Sequence, residues 1–196
     1  MTKVHIIWDN SNILWSGRDY CKRREWREAQ FRIYFPNLID LAADGRPVEQ
    51  VFCVGSVPPR SDPVWGHIEA ITGRKPETYE RGAQSGKEQA VDQALQTRML
   101  RLGYDYPPET LVLLTGDGKG ADEGVGFFAD AQRLHKIGWS VEVVAWRDNC
   151  ARQMREWTEE NGVFVDLGDF YTEVTFLEGG DRNASVLDLT KRPRAK

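Results

Sequence analysis

Two strand patterns that each lead to an aspartate constrain this fold most strongly. The segment VHIIWDNSN reaches Asp9, and the segment TLVLLTGDG reaches Asp117. Short runs rich in Val, Ile and Leu indicate strands that are covered on both faces, as in a parallel sheet. The ligand site of an open parallel sheet lies beyond the carboxyl ends of the strands, where the strand order reverses. We therefore expect the two aspartates to meet in an acidic crevice.

The rest of the chain alternates between strand and helix patterns. This alternation predicts an α/β fold, a single-domain three-layer sandwich with a mostly parallel central sheet. The domain is expected to span residues 1–174, and a loosely held C-terminal tail is expected at 175–196, where large apolar residues are few. The predicted strands are 4–9, 49–56, 77–81, 110–117, 140–146 and 163–167, and the predicted helices lie near 29–43, 63–73, 86–102, 123–137 and 148–160.

Composition excludes several classes of protein. The 196 residues, 40% of them hydrophobic and 29% charged, are those of one ordinary globular domain. No apolar run approaches the roughly 20 residues that span a bilayer, so we expect a cytoplasmic protein without membrane contact. The three cysteines are widely spaced and form no CxxC pair, which argues against a disulfide framework and a structural zinc site.

The net charge of -4 argues against a protein that coats nucleic acid through its overall field. Any contact must then be local, and the segment from Asn12 to Arg27 carries a suitable cluster. We predict a loop here that holds Trp15, Arg18 and Lys22 outward. Cations interleaved with aromatic rings suit a single strand, whose phosphates and bases they contact respectively. A solvated loop without a ligand remains the alternative reading.

Two further carboxylates fall on the predicted helix 86–102. Glu88 and Asp92 are four residues apart, so they share one face of the helix near its N-terminus. A helix that follows a strand in a parallel α/β fold starts at the carboxyl edge of the sheet, within reach of the Asp9 and Asp117 crevice. The alternative is an exposed face on which these acids pair with Lys87 or Arg98.

Three converging carboxylates have a physical consequence. Two unit charges about 5 Å apart repel by roughly 3 kcal/mol at an effective dielectric near 20. Either one carboxylate keeps a proton, or a divalent cation lies among them, and oxygen ligands suit magnesium or manganese. We favour the cation. It can lower the pKa of water and neutralise charge on a phosphodiester under attack, which is nuclease chemistry.

Three motifs resemble a known family. Asp9 with Asn12 is similar to the opening D-x-x-N of NYN domains, the LabA-like branch of the PIN-like nuclease superfamily. The stretch from Lys87 through Asp92 resembles the helix motif of that family, and TGD at 115–117 resembles its S-G-D strand end. The segment FADAQRLHKIGWSVEVVAW is also similar to the helix, glycine and strand that follow. The resemblance covers about residues 3–170.

The resemblance implies a PIN-like, Rossmannoid fold and a metal-dependent ribonuclease that hydrolyses RNA phosphodiester bonds. Asp9, Asp92 and Asp117 would be ligands of Mg²⁺ or Mn²⁺, and Asn12 would position a ligand or the scissile phosphate. RNA, single-stranded or structured, is the implied partner, and homodimer formation is left open. Further metal ligands would be Asp122 and Glu88, and substrate contacts would come from Ser11, Trp15, Arg18, Lys22, Lys87 and Lys119.

One departure from the family keeps other functions open. The family usually has a second acid two residues after S-G-D, where this chain has Lys119. A lysine there would weaken ion binding by like-charge repulsion, or would contact a substrate phosphate instead. The leading alternative is a catalytically weak or inactive RNA- or nucleotide-binding module, whose glycine-rich loop from Gly116 presents backbone amides to a phosphate. A third reading is a scaffold in which Asp9 and Asp117 only cap helices.

Overall fold

The computed structural model describes residues 2–57, 63–80, 89–118 and 124–195. No helix within these ranges is both long enough and apolar enough to cross a bilayer. The strands are β1 (Val4–Asp9), β2 (Phe31–Ile33), β3 (Val48–Val57), β4 (Glu77–Glu80), β5 (Thr110–Leu114), β6 (Ser140–Ala145), β7 (Val163–Asp166) and β8 (Thr175–Leu177). The α-helices are α1 (Asn10–Glu25), α2 (Phe35–Ala43), α3 (Val64–Thr72), α4 (Gln89–Asp105), α5 (Phe127–Lys136), α6 (Arg152–Asn161) and α7 (Tyr171–Val174).

A six-stranded parallel sheet forms the centre of the described structure. Its strand order is β4-β3-β1-β5-β6-β7. The chain moves outward from β1 through β3 to β4, and then returns to add β5, β6 and β7 on the other side. The strand order therefore reverses between β1 and β5, which pair in register from Val4 with Thr110 to Trp8 with Leu114. The predicted α/β class and parallel central sheet are confirmed.

Alternating strand residues fill two cores, one on each face of the sheet. Ile6 and Trp8 of β1 face the core that also contains apolar residues of α1, α2 and α3. Ile7 faces the opposite core, to which α4, α5 and α6 contribute. This period of two places helices on both faces and gives three layers. Asp9 has the same parity as Ile7, so it lies on the α4 side of the sheet.

Two predicted local structures between β1 and β3 are wrong. The segment from Asn12 to Arg27 is not a loop, because helix α1 runs through Glu25. The predicted helix 29–43 is also interrupted at its start, where the three-residue strand β2 pairs antiparallel with β8. Gly17 allows α1 to approach β2 closely, since a Cβ at this position would lie 2.5 Å from the ring of Phe31. Tertiary packing therefore fixes both segments.

The segment expected to be a loose tail is instead packed on the domain. Strand β8 is part of it, and Leu187 and Leu189 pack against the core beneath α2. Arg192 is 3% exposed and donates to the Leu41 carbonyl at 2.7 Å and to the Glu142 carboxylate at 2.6 Å. A buried arginine that neutralises a buried glutamate is costly to remove. The expectation of a loosely held C-terminal tail is therefore corrected, because Arg192 ties this segment to the domain.

Candidate functional site

Asp9 ends the central strand and begins the helix that follows. It is 5% exposed and lies at the N-cap of α1, where its side chain accepts a hydrogen bond from the Asn12 amide at 2.9 Å. Aspartate suits this position because the first amides of a helix have no partner within the helix. The helix dipole also favours a negative charge here. Asp9 thus has a structural role in addition to any role in binding a ligand.

The first turn of α1 connects the carboxyl ends of the three central strands. Asn12 Oδ1 accepts a hydrogen bond from the Gly116 amide, beyond β5, at 2.8 Å. Ser11 Oγ accepts one from the Ser56 amide, near the end of β3, at 3.3 Å. Asp9 and the Gly116–Asp117 loop are therefore tied to one another across the point where the strand order reverses.

Asp117 lies three residues beyond the end of β5, because this strand ends at Leu114 and not at 117. Its amide donates to Thr115 Oγ1 at 3.3 Å, and the carbonyl of Gly116 accepts from the Ala151 amide at 2.8 Å. A Cβ at Gly116 would approach Cys150 Cα to 3.0 Å. These contacts hold the loop between the start of α1 and the start of α6. Asp117 does not cap α5, which begins at Phe127 with Gly126 as its N-cap.

Asp92 lies in the first described turn of α4 and is partly exposed. Its neighbour Val91 is buried in the same core as Ile7 of β1. The N-terminal part of α4 thus packs on the face of the sheet that Asp9 shares by parity. Arg98, which the alternative interpretation paired with the acids of this helix, donates a hydrogen bond to Glu77 at 2.7 Å.

Sequence reasoning missed Asn10. Its side chain is 4% exposed, and Oδ1 has no hydrogen-bond partner within the described part of the chain. Buried polar atoms normally have a partner, so an oxygen of this kind beside Asp9 is an acceptor that a bound group could use. The available signal was a run of short polar residues directly after a buried strand, because such residues lie at the ligand edge of a parallel sheet.

The predicted ligands are of the chemical types that a hard divalent cation prefers. Asp9, Asp92 and Asp117 carry carboxylates and Asn10 carries an amide oxygen, which suit Mg²⁺ and Mn²⁺. In residues 2–57, 63–80, 89–118 and 124–195, no three His, Cys, Asp or Glu side chains are grouped closely enough to hold a metal ion, so the structure does not bring Asp9, Asp92 and Asp117 together as a ready ligand set. The predicted residues Lys87, Glu88, Lys119 and Asp122 lie outside the described residues.

The predicted substrate contacts of α1 lie on its solvent side. Trp15 is 50% exposed, and the Arg18 guanidinium lies over its ring at 5.1 Å from the centroid. Arg18 also donates to the Glu28 carbonyl at 3.0 Å, which holds the cation against the indole. Lys22 is exposed one turn further along the helix. Ser11, in contrast, is 7% exposed and joins α1 to β3.

Burial raises the pKa of the Cys53 thiol well above its ordinary value, and the nearby negative charge of Asp9 raises it further. Cys53 follows Phe52 in β3 and pairs in register with Trp8. The thiol therefore stays protonated at neutral pH and adds no further charge to the edge.

Comparisons with known proteins agree with the fold. The NYN domain profile matches residues 3–172, nearly the whole chain. A crystal structure of a protein of unknown function from Vibrio parahaemolyticus is similar in fold, with a TM-score of 0.59 and 14% identity over 85% of this chain and 93% of that chain. No curated protein matches. The chain therefore belongs to the NYN domain family, within the PIN-like nuclease superfamily.

Proposed function

We propose that this protein is a metal-dependent ribonuclease that hydrolyses RNA phosphodiester bonds at the carboxyl edge of its sheet. The observation that carries the proposal is the hydrogen bond from the Gly116 amide to Asn12 Oδ1. It ties the loop of Asp117 to the helix that Asp9 caps, at the switch point where parallel α/β folds bind ligands. Membership of a nuclease superfamily supports the same reaction class.

In this proposal Asp9, Asp92 and Asp117 would hold Mg²⁺ or Mn²⁺, with Asn10 as a neutral oxygen donor and with Asp122 and Glu88 as additional ligands. A bound cation would lower the pKa of water and neutralise charge on the phosphodiester. Water adds to phosphorus, the P–O ester bond breaks and the leaving oxygen takes up a proton. The products are a phosphate monoester and a hydroxyl group.

The protein's own contribution is positional. Asn12 fixes the distance between α1 and the Asp117 loop, so Asp9 and Asp117 stay on the same edge of the sheet. Arg18 and Lys22 contact phosphates beyond the scissile bond, and Trp15 contacts a base. Ser11 supports this arrangement from β3. Lys87 and Lys119 complete the set of proposed phosphate contacts.

A catalytically inactive RNA- or nucleotide-binding module is the second candidate, and Lys119 is its main support. Its phosphate-binding loop would use backbone amides near Gly116. Two of these amides already have partners, since Gly116 donates to Asn12 and Asp117 donates to Thr115. The described loop therefore favours an edge that is built to hold carboxylates over one that presents amides to a phosphate.

The test is cleavage of a labelled mixed-sequence RNA in Mn²⁺, in Mg²⁺ and in EDTA. We expect metal-dependent cleavage by the wild type and at least a hundredfold loss in Asp117→Asn. Asp105→Asn is the matched control, because Asp105 is exposed at the far end of α4. RNA that is retained on a filter but cut in no metal would exclude the nuclease and support the binding module.

A further inference from the structure

Helix α1 carries the exposed Trp15, and the exposed Trp26 follows as its C-cap. Eleven residues are close to three turns, so the two Cα atoms lie on nearly the same side of the helix axis. The two side chains are 50% and 78% exposed, and Lys22 lies between them on the same side. The helical rise places the two positions about 16 Å apart. Large exposed aromatic residues aligned in this way are a binding surface rather than part of a core.

The backbone at Trp26 strengthens this interpretation. Trp26 is the C-cap of α1 and has φ 58° and ψ 33°, in the left-handed region. Its amide donates to the Lys22 carbonyl at 3.2 Å. Glycine is the residue usually favoured in this conformation, and a bulky side chain here is strained. A bulky residue that is exposed and held in an unfavourable backbone conformation is a reason to consider a binding role for it.

Charge on the helix indicates the chemistry of that ligand. Helix α1 contains Arg18, Lys22, Arg23 and Arg24 against two acidic residues, although the whole chain has a net charge of -4. One of those acids, Asp19, lies near the same face and is engaged by Arg23 at 3.5 Å. A positive face with exposed indoles is complementary to a polyanion that also offers flat aromatic surfaces.

We infer that the α1 face formed by Trp15, Arg18, Lys22 and Trp26 is a track for single-stranded RNA that leads away from the acidic edge. Bases stack on the two indoles, and phosphates contact the cations between them. Asp9 is the N-cap of α1, so the track and the proposed cleavage site share one helix. A duplex does not fit it, because paired bases have no free faces for stacking. The inference rests on the proposed ribonuclease function and specifies its substrate class.

The test measures affinity for a labelled single strand and for the same strand annealed to its complement, in EDTA to prevent cleavage. The wild type is expected to bind the single strand about 10-fold or more tightly than the duplex. Trp15→Ala and Trp26→Gly should each weaken single-strand binding by about 10-fold, the usual effect of losing one stacked base. Tyr104→Ala is the control, because Tyr104 is 89% exposed on α4 and is expected to change nothing.

The melting temperature of each variant shows whether a loss of RNA binding comes from a loss of folding. Trp26→Gly relieves the left-handed strain, so its melting temperature should equal or exceed that of the wild type while its RNA affinity falls. Charge reversal of Arg18 and Lys22 together should weaken binding further and reduce its dependence on salt. Unchanged single-strand affinity in both tryptophan variants would overturn the track. The track would also be overturned if these variants lost self-association but kept RNA binding, because this face of α1 would then bind a second copy of the chain.

The outcomes also distinguish the track from the nuclease. If Asp117→Asn abolishes cleavage while the tryptophan variants bind normally, the nuclease stands and the track is wrong. If the tryptophan variants lose binding while the wild type cleaves in no metal, the track stands and the proposed ribonuclease is wrong. Equal losses on single strand and duplex would refute the assignment of a single-stranded substrate.

Discussion

Removal of the Asn12 side chain should damage the fold and the candidate site together. Gly116 is buried, and its amide donates to Asn12 Oδ1 at 2.8 Å. In Asn12→Ala that amide loses its acceptor, which costs about 1–3 kcal/mol for a buried donor left without a partner. A domain of this size loses about 2–4 °C in melting temperature per kcal/mol, so we expect a fall of roughly 2–12 °C. Differential scanning calorimetry measures it directly.

Two companion variants make this prediction specific. Asn12→Asp keeps an oxygen acceptor for the Gly116 amide and should recover most of the lost stability. Ser11→Ala removes only the longer, 3.3 Å bond to the Ser56 amide and should cost less than about 1 kcal/mol. If Asn12→Ala melts like the wild type, or if Asn12→Asp is as unstable as Asn12→Ala, the hydrogen bond between Asn12 and Gly116 does not stabilise the fold.

Further perturbations test other parts of the fold. Gly116→Ala should destabilise the protein by about 1–3 kcal/mol in urea unfolding, because the added Cβ would lie 3.0 Å from Cys150 Cα. Gly66→Ala should stabilise it by about 0.5–1 kcal/mol, because the added Cβ has no atom within 4 Å. Arg192→Met should cost about 1–3 kcal/mol, since it removes buried hydrogen bonds to Leu41 and Glu142 while Arg46 stays paired with Glu142. A smaller loss would mean that the C-terminal segment is held mainly by apolar contacts. Burial raises the pKa of Cys150 from 9.0 to about 12, so the native protein should resist alkylation of this thiol at pH 8. The free energy of unfolding should fall as pH rises from 9 towards 12, because only the unfolded thiol then loses its proton. Rapid alkylation of native protein would contradict the burial of this thiol.

The central strands could be predicted from sequence because their physics is local. Strands such as β1 and β5 are buried on both faces and read as continuous apolar runs, so their places and their parallel pairing followed from the alternation with helices. The expected position of Asp9 followed as well, because it directly ends such a run. The end of β5 was placed three residues too late, since Thr115 is buried like a strand residue but belongs to the loop.

Helix α1 could not be predicted in the same way. Its buried face includes Asn10, Ser11 and Gly17, whereas Trp15 is exposed, so the usual apolar periodicity is inverted. The polar residues are buried because they connect strands, and Gly17 is buried because aromatic rings pack against its backbone. Strands β2 and β8 were missed because three residues cannot form a recognisable period, and their pairing joins distant parts of the chain.

The position of β1 has a consequence for how the chain reaches its folded state. β1 precedes both of its neighbours, Val48–Val57 and Thr110–Leu114, in the chain. One edge of this apolar strand can pair once Val57 has been added, but the other edge stays unpaired until the chain has reached Leu114. Such distant pairings slow folding and expose the strand to association with other chains. The edge that joins Asp9 to the Asp117 loop consequently comes into existence only after β5 has been added.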